Sequence, residues 1–117
     1  MCDCAASTDN TLLVGIDVGS TTGKIAVFDP RTQKVLFRRY LRHHARQVEC
    51  VKNLFLEVKE VFPDTPLRAA FCGSGGAALA AALDLPYVQE VVANALAVSA
   101  FYPTARTAIE LGGQDAK

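Results

Sequence analysis

Neither sign of charge prevails in this chain: 12 basic side chains stand against 12 acidic ones, and the formal net charge is zero. That balance removes the electrostatic footing for a nucleic-acid partner or an anionic membrane surface. No apolar run approaches the roughly 18 residues of a spanning helix. The opening residues, Met-Cys-Asp-Cys-Ala-Ala-Ser-Thr-Asp-Asn, are polar and acidic, so they lack the basic and apolar regions of a secretory leader. The expectation is a soluble, cytoplasmic protein. Also lacking is any CxxC pair among the four cysteines, Cys2, Cys4, Cys50 and Cys72. Cys50 falls in a helical pattern and Cys72 at a strand end, where a thiol acts as a small hydrophobe. The spacing favours structural thiols over metal ligands or a disulfide framework. Neither an internal repeat nor a dividing linker is visible.

What the chain does have is apolar residues, half of its 117. Such a length suits one domain with a real core but is small for a whole enzyme. Residues 1 to 10 read as a flexible lead-in and residues 11 to 117 as the domain. Leu12 to Val18 and Lys24 to Asp29 are β-branched-rich runs bounded by turn residues, hence two strands of a hairpin. After the turn at Asp29-Pro30-Arg31-Thr32-Gln33, Lys34 to Arg42 reads as a third strand, with Val35 and Phe37 on one face and Leu36 on the other. From Ala45 to Phe62 the period changes: Val48, Val51, Leu54, Phe55, Val58 and Val61 recur at three- and four-residue steps, an apolar helical stripe. Pro63 and Pro66 close it. Leu67 to Cys72 is a fourth strand, apolar enough for burial on both faces. Gly73-Ser74-Gly75-Gly76 leads to a short helix over Ala77 to Leu83. A longer helix over Val88 to Phe101 and a fifth strand over Thr107 to Leu111 follow. The order β-β-β-α-β-α-α-β predicts an α/β fold with a mixed five-stranded sheet flanked by helices.

Two loops carry the candidate chemistry. Gly19, Ser20, Thr21, Thr22 and Gly23 lie between the first two strands, with Asp17 before them and Lys24 after. A Walker loop would place four residues between its glycines and open a helix. Here three residues intervene and Ile25-Ala26-Val27-Phe28 follow, which are strand formers. A dinucleotide fingerprint fails for the same lack of a helix. A phosphate-binding hairpin remains, its glycines allowing unusual backbone angles and close approach. Ser20, Thr21 and Thr22 would add hydroxyl donors, and Asp17 could hold Mg²⁺ through water. An ordinary glycine-rich turn is the alternative. The second loop, Ile109-Glu110-Leu111-Gly112-Gly113-Gln114-Asp115, again joins an apolar strand to an acid and two glycines. His43 and His44 read as solvated turn residues, and Arg38, Arg39 and Arg42 as a polar strand face.

Asp-Val-Gly-Ser-Thr-Thr and Glu-Leu-Gly-Gly-Gln-Asp-Ala-Lys resemble the two phosphate motifs of the actin, sugar-kinase and heat-shock-chaperone ATPase superfamily. Within it, Gly15 to Lys24 and Gly112 to Lys117 resemble the activator ATPases of 2-hydroxyacyl-CoA dehydratases and the ATPase subunits of benzoyl-CoA reductase. Gly-Gly-Gln-Asp is the specific part. The resemblance implies a ribonuclease-H-like fold, ATP or ADP with Mg²⁺, and a CoA-ester dehydratase or reductase as partner. It implies Asp17 assisting the metal and Gly19, Ser20, Thr21 and Thr22 on the terminal phosphates, with Lys24 beside them or merely at the surface. Glu110, where the superfamily usually has Asp, would orient metal or attacking water. Gly112, Gly113, Gln114 and Asp115 would form the second phosphate loop. Cys72-Gly73-Ser74-Gly75 matches a strand end near the cleft, or is only a strand-to-helix turn. The family's [4Fe–4S] cysteines and its adenosine-binding motif come later, so the chain is expected to be the N-terminal part of a parent protein that could be a homodimer. No cysteine here matches a cluster position. A sugar- or acetate-kinase subdomain, or a scaffold domain that has kept the loops, would share the first motif.

Overall fold

The computed structural model describes residues 10–107. Within them the chain forms β1 (Leu12–Val18), β2 (Thr22–Asp29), β3 (Lys34–Arg42), α1 (Gln47–Val61), β4 (Leu67–Cys72), α2 (Gly76–Leu83) and α3 (Glu90–Phe101). The four described strands make one mixed sheet in the order β3-β2-β1-β4. β1, β2 and β3 meander antiparallel, and β4 returns through α1 to lie parallel to β1. The fifth strand expected over Thr107 to Leu111 falls almost wholly outside the described residues. At Phe71, the outer edge of β4 is taken by Tyr87, through bonds from Phe71 N–H to the Pro86 carbonyl (2.9 Å) and from Val88 N–H to the Phe71 carbonyl (2.8 Å).

One face of the sheet carries the core. Leu12, Val14, Ile16 and Val18 alternate inward from β1, with Ile25 and Val27 beside them on β2 and Phe71 on β4. Onto this face α1 lays Cys50, Val51, Leu54 and Val58, the inner part of its stripe. Val48 and Val61, counted in that stripe by periodicity, are exposed at its two ends. Each large side chain buried here contributes about 1.5–3 kcal/mol. Arg39 leans to the same side, where its guanidinium meets Glu57 of α1 at 2.7 Å.

Two expectations change. Val35 and Phe37 do not share a face. Val27 pairs with Phe37 but Phe28 pairs with Val35, so Leu36 is an extra residue in β3. Such a bulge reverses the alternation beyond it. Phe37 therefore packs on the core, while Val35 goes with Phe28 to the opposite face. β4 is not buried on both faces either: of its residues only Phe71 is fully buried. The opposite face borders an apolar groove of about 1080 Å³ between the sheet and α3, lined by Leu13, Ala26, Phe28, Leu96 and Phe101 among others. α3 buries none of its residues among those described. Its end is tied to the sheet by an edge-to-face contact of Phe101 on Phe28, with centroids 6.4 Å apart.

Candidate functional site

The carboxyl ends of β1 and β4 lie side by side, since both strands run the same way and Asp17 is in register with Cys72. In an open α/β sheet that is where ligands are held. Three segments converge there: the β1–β2 turn at Gly19–Thr22, the β4–α2 loop at Gly73–Gly76, and the β3–α1 connection at His43–Arg46.

Asp17 is the last residue but one of β1, and Lys24 faces it across the antiparallel pair. Lys24 Nζ lies 3.3 Å from Asp17 Oδ2 and 5.8 Å from the centre of the Tyr40 ring. The expected neighbours are thus brought together, with Lys24 half-exposed at the mouth. The other carboxylate oxygen, Asp17 Oδ1, is closed off from solvent and receives no hydrogen bond. It is tucked beneath Gly73, where an added Cβ would collide with it and with the Val18 carbonyl. Asp17 thus sits between two loops, one oxygen covered and one at the opening.

The β1–β2 turn is a bend without the usual closing hydrogen bond. Gly19 N–H donates to the Thr22 carbonyl at 2.8 Å. The reverse bond, from Thr22 N–H to the Gly19 carbonyl, is not made. Ser20 and Thr21 are exposed at the tip, and Thr22 is buried. Neither Gly19 nor Gly23 uses a positive φ, contrary to the backbone freedom expected of them. Gly23 is required for closeness: an added Cβ would stand 2.8 Å from Cys50 Sγ and 3.5 Å from Leu54 Cδ1. Burial against this turn pushes the Cys50 thiol above its ordinary pKa, partly opposed by the Gly23 backbone.

The glycine that does need left-handed backbone is Gly73, at φ +93°. Gly75 N–H donates to the Val18 carbonyl at 2.8 Å, and Tyr87 Oη donates to the Gly73 carbonyl at 2.9 Å. An added Cβ at Gly75 would lie 2.8 Å from Gln47 Nε2 and 2.9 Å from Val18 Cγ1, so this loop also touches the start of α1. Of the two readings of Cys72–Gly75, a bare turn or a part of the cleft, the geometry places it against Asp17.

His43 was expected to be a solvated turn residue and is not: it is 4% exposed. Its Nε2 is 2.9 Å from the Gly19 carbonyl, 24 residues earlier. Ala45 N–H can only donate, so Nδ1 accepts that bond (3.1 Å), and the ring hydrogen sits on Nε2. His43 N–H also reaches the Thr21 carbonyl at 3.1 Å. His44 is exposed, as expected.

Residues able to hold phosphate and Mg²⁺ fit this mouth on their chemistry. Asp17 presents its Oδ2 at the opening, and the turn offers hydroxyls and backbone N–H groups. Mg²⁺ keeps several waters and is commonly bound by one or two carboxylates with substrate phosphates. Among the described residues no three His, Cys, Asp or Glu side chains gather as a metal site of their own. Glu110, Gly112, Gly113, Gln114 and Asp115 lie outside the described residues, as do Cys2 and Cys4. No described helix is long and apolar enough to cross a membrane.

No protein-family model matches the chain, and no curated protein matches it by sequence. Solved structures do match. The activator of the 2-hydroxyisocaproyl-CoA dehydratase from Clostridium difficile, with bound ADPNP, aligns over 90% of this chain with TM-score 0.63 and 19% identity. A ROK family transcriptional regulator, a homolog of the E. coli MLC protein, aligns over 79% with TM-score 0.52 and 18% identity. The Ppx/GppA family member of Aquifex aeolicus aligns over 91% with TM-score 0.55 and 11% identity. The chain spans 39%, 31% and 45% of the lengths of these three proteins. At such identities the likeness concerns the fold alone, an α/β, ribonuclease-H-like half-domain.

Proposed function

We propose that this chain is the N-terminal phosphate-binding part of an ATPase that activates a 2-hydroxyacyl-CoA dehydratase or a related CoA-ester reductase. The observation that carries the reading is the open bend at Ser20 and Thr21, set beside Asp17 at the carboxyl end of β1. The ADPNP bound to the dehydratase activator of the same fold supports a nucleotide as ligand. In this reading the Gly19–Thr22 turn receives the terminal phosphates on backbone N–H groups and hydroxyls. Lys24 would lend positive charge, and Asp17 would hold Mg²⁺ through water. The metal, when bound, neutralises charge on the phosphates. Positioning and electrostatics supply most of the catalysis in such chemistry.

Glu110 and Gln114 are proposed to orient the attacking water, with Gly112, Gly113 and Asp115 as the opposing loop. In the parent protein, hydrolysis would serve to activate the partner enzyme; a [4Fe–4S] cluster would supply the low-potential electron there, and no cysteine of this chain matches a position that would hold it.

Calorimetric titration of the chain with ATP, with Mg²⁺ and with EDTA, tests the nucleotide reading. Wild-type protein is expected to bind more tightly with Mg²⁺, and Asp17→Asn to lose roughly tenfold or more of that gain, the worth of a charge-assisted bond. Binding unaffected by either change, or no binding at all, would defeat it.

A further inference from the structure

We infer that His43 is a positioning residue that holds the β1–β2 turn open for an anionic ligand, an inference that rests on the nucleotide reading of that site. A two-residue hairpin ordinarily closes with a hydrogen bond across its ends, here from Thr22 N–H to the Gly19 carbonyl. In this protein the Gly19 carbonyl is engaged by His43 Nε2 at 2.9 Å instead. The Thr21 carbonyl is engaged by His43 N–H at 3.1 Å. A peptide unit is planar and trans, so its N–H points opposite to its carbonyl. With the Gly19 and Thr21 carbonyls drawn toward His43, the N–H groups of Ser20 and Thr22 are aimed the other way. These are donors of the kind that cradle phosphate oxygens.

The imidazole is itself held firmly. Ala45 N–H donates to Nδ1 and Arg46 N–H to the His43 carbonyl, at 3.1 and 2.7 Å. His44 and Ala45 adopt left-handed backbone, φ +49° and +65°, to bring Ala45 N–H back onto the ring. Two non-glycine residues in that region cost free energy that the surrounding structure must offset. His43 touches neither the proposed phosphates nor the metal, and acts through the turn.

Two substitutions separate its bonds. In His43→Gln the amide nitrogen can replace Nε2 and keep the Gly19 bond. In His43→Asn the shorter side chain can keep an acceptor for Ala45 N–H but does not reach Gly19. Amide hydrogen exchange in nucleotide-free protein is the first readout. Thr22 N–H is expected to exchange quickly in wild type and in His43→Gln, and about tenfold more slowly in His43→Asn as the turn closes on itself. Titration with Mg·ATP is the second: His43→Gln should bind as wild type and His43→Asn about tenfold more weakly. Equal exchange at Thr22 in all three proteins overturns the inference, as does equal loss of affinity in both variants. Wild-type protein that shows the exchange pattern but binds no ATP refutes the functional reading while leaving His43 as the group that opens the turn.

Discussion

Replacing Gly73 by alanine tests how the two loops are locked together around Asp17. Two costs combine there. Gly73 has φ +93°, a conformation that a side chain makes unfavourable by about 1–3 kcal/mol. The new Cβ would also lie 2.8 Å from the Val18 carbonyl carbon and closer still to Val18 O and Asp17 Oδ1. Backbone cannot swing aside as a flexible side chain can, and overpacking of this kind costs about 1–3 kcal/mol more. The sum, about 4 kcal/mol, is a large share of the 5–15 kcal/mol that stabilises a typical domain. At about 4–8 °C per kcal/mol for a domain of this size, Tm should fall by about 15 °C or more. Thermal unfolding followed by circular dichroism measures it. Gly15→Ala is the control, since an added Cβ there meets nothing within 4 Å, and its Tm should stay level or rise slightly. Gly73→Asn divides the two costs: asparagine tolerates left-handed backbone better but brings the same Cβ. A Gly73→Ala protein melting within about 2 °C of wild type would refute the reasoning, and so would equal losses in the Gly15 control.

Two further perturbations probe the frame that supports the site. Leu54→Ala removes a fully buried side chain of α1 beneath Gly23 and should cost about 2–5 kcal/mol by chemical denaturation, with a smaller loss for the exposed Leu56→Ala. Asp29 is the acid-sensitive group: Arg31 N–H donates to its Oδ1 at 2.9 Å, and this bond, aided by the Arg31 guanidinium, holds its carboxyl below the ordinary 3.8. Folding then favours the ionised form, so the stability it contributes is present above pH 3.8 and is lost as pH falls through the lower folded-state value. Asp29→Asn should flatten the acid limb of a Tm-against-pH curve by lowering Tm in the neutral region, the two proteins converging at low pH where Asp29 is protonated.

The parts legible in the sequence were those written in local pattern. β-Branched-rich apolar runs bounded by turn residues marked β1 and β2, a three- and four-residue stripe marked α1, and the Asp17-to-Lys24 string placed an acid and a lysine at one turn. What escaped depended on pairing between distant segments. The bulge at Leu36 is set by how β3 meets β2 at Val27 and Phe28, so no count along β3 alone separates Val35 from Phe37. Gly23 looked like a residue chosen for its backbone angles, whereas its lack of a side chain admits Cys50 of α1, whose distance from Gly23 only the packed fold defines.

His43 is the most instructive miss, because a signal for it existed. A tight turn between β3 and α1 makes solvent the default surroundings for a histidine. Yet if the β2–β3 hairpin is closed at Pro30 and its register is carried back to the open end with Leu36 allowed for as an extra residue, Thr22 falls opposite Arg42, and the next residue lands beside Thr21. One-residue errors reverse faces in a sheet, and the bulge adds such a shift midway, so the extrapolation succeeds only when the bulge is known. The candidate site was therefore readable as an inventory of donors and acids. Its defining property, a turn kept from closing on itself, belongs to the meander as a whole, because the group that engages the Gly19 carbonyl is delivered by the far end of β3.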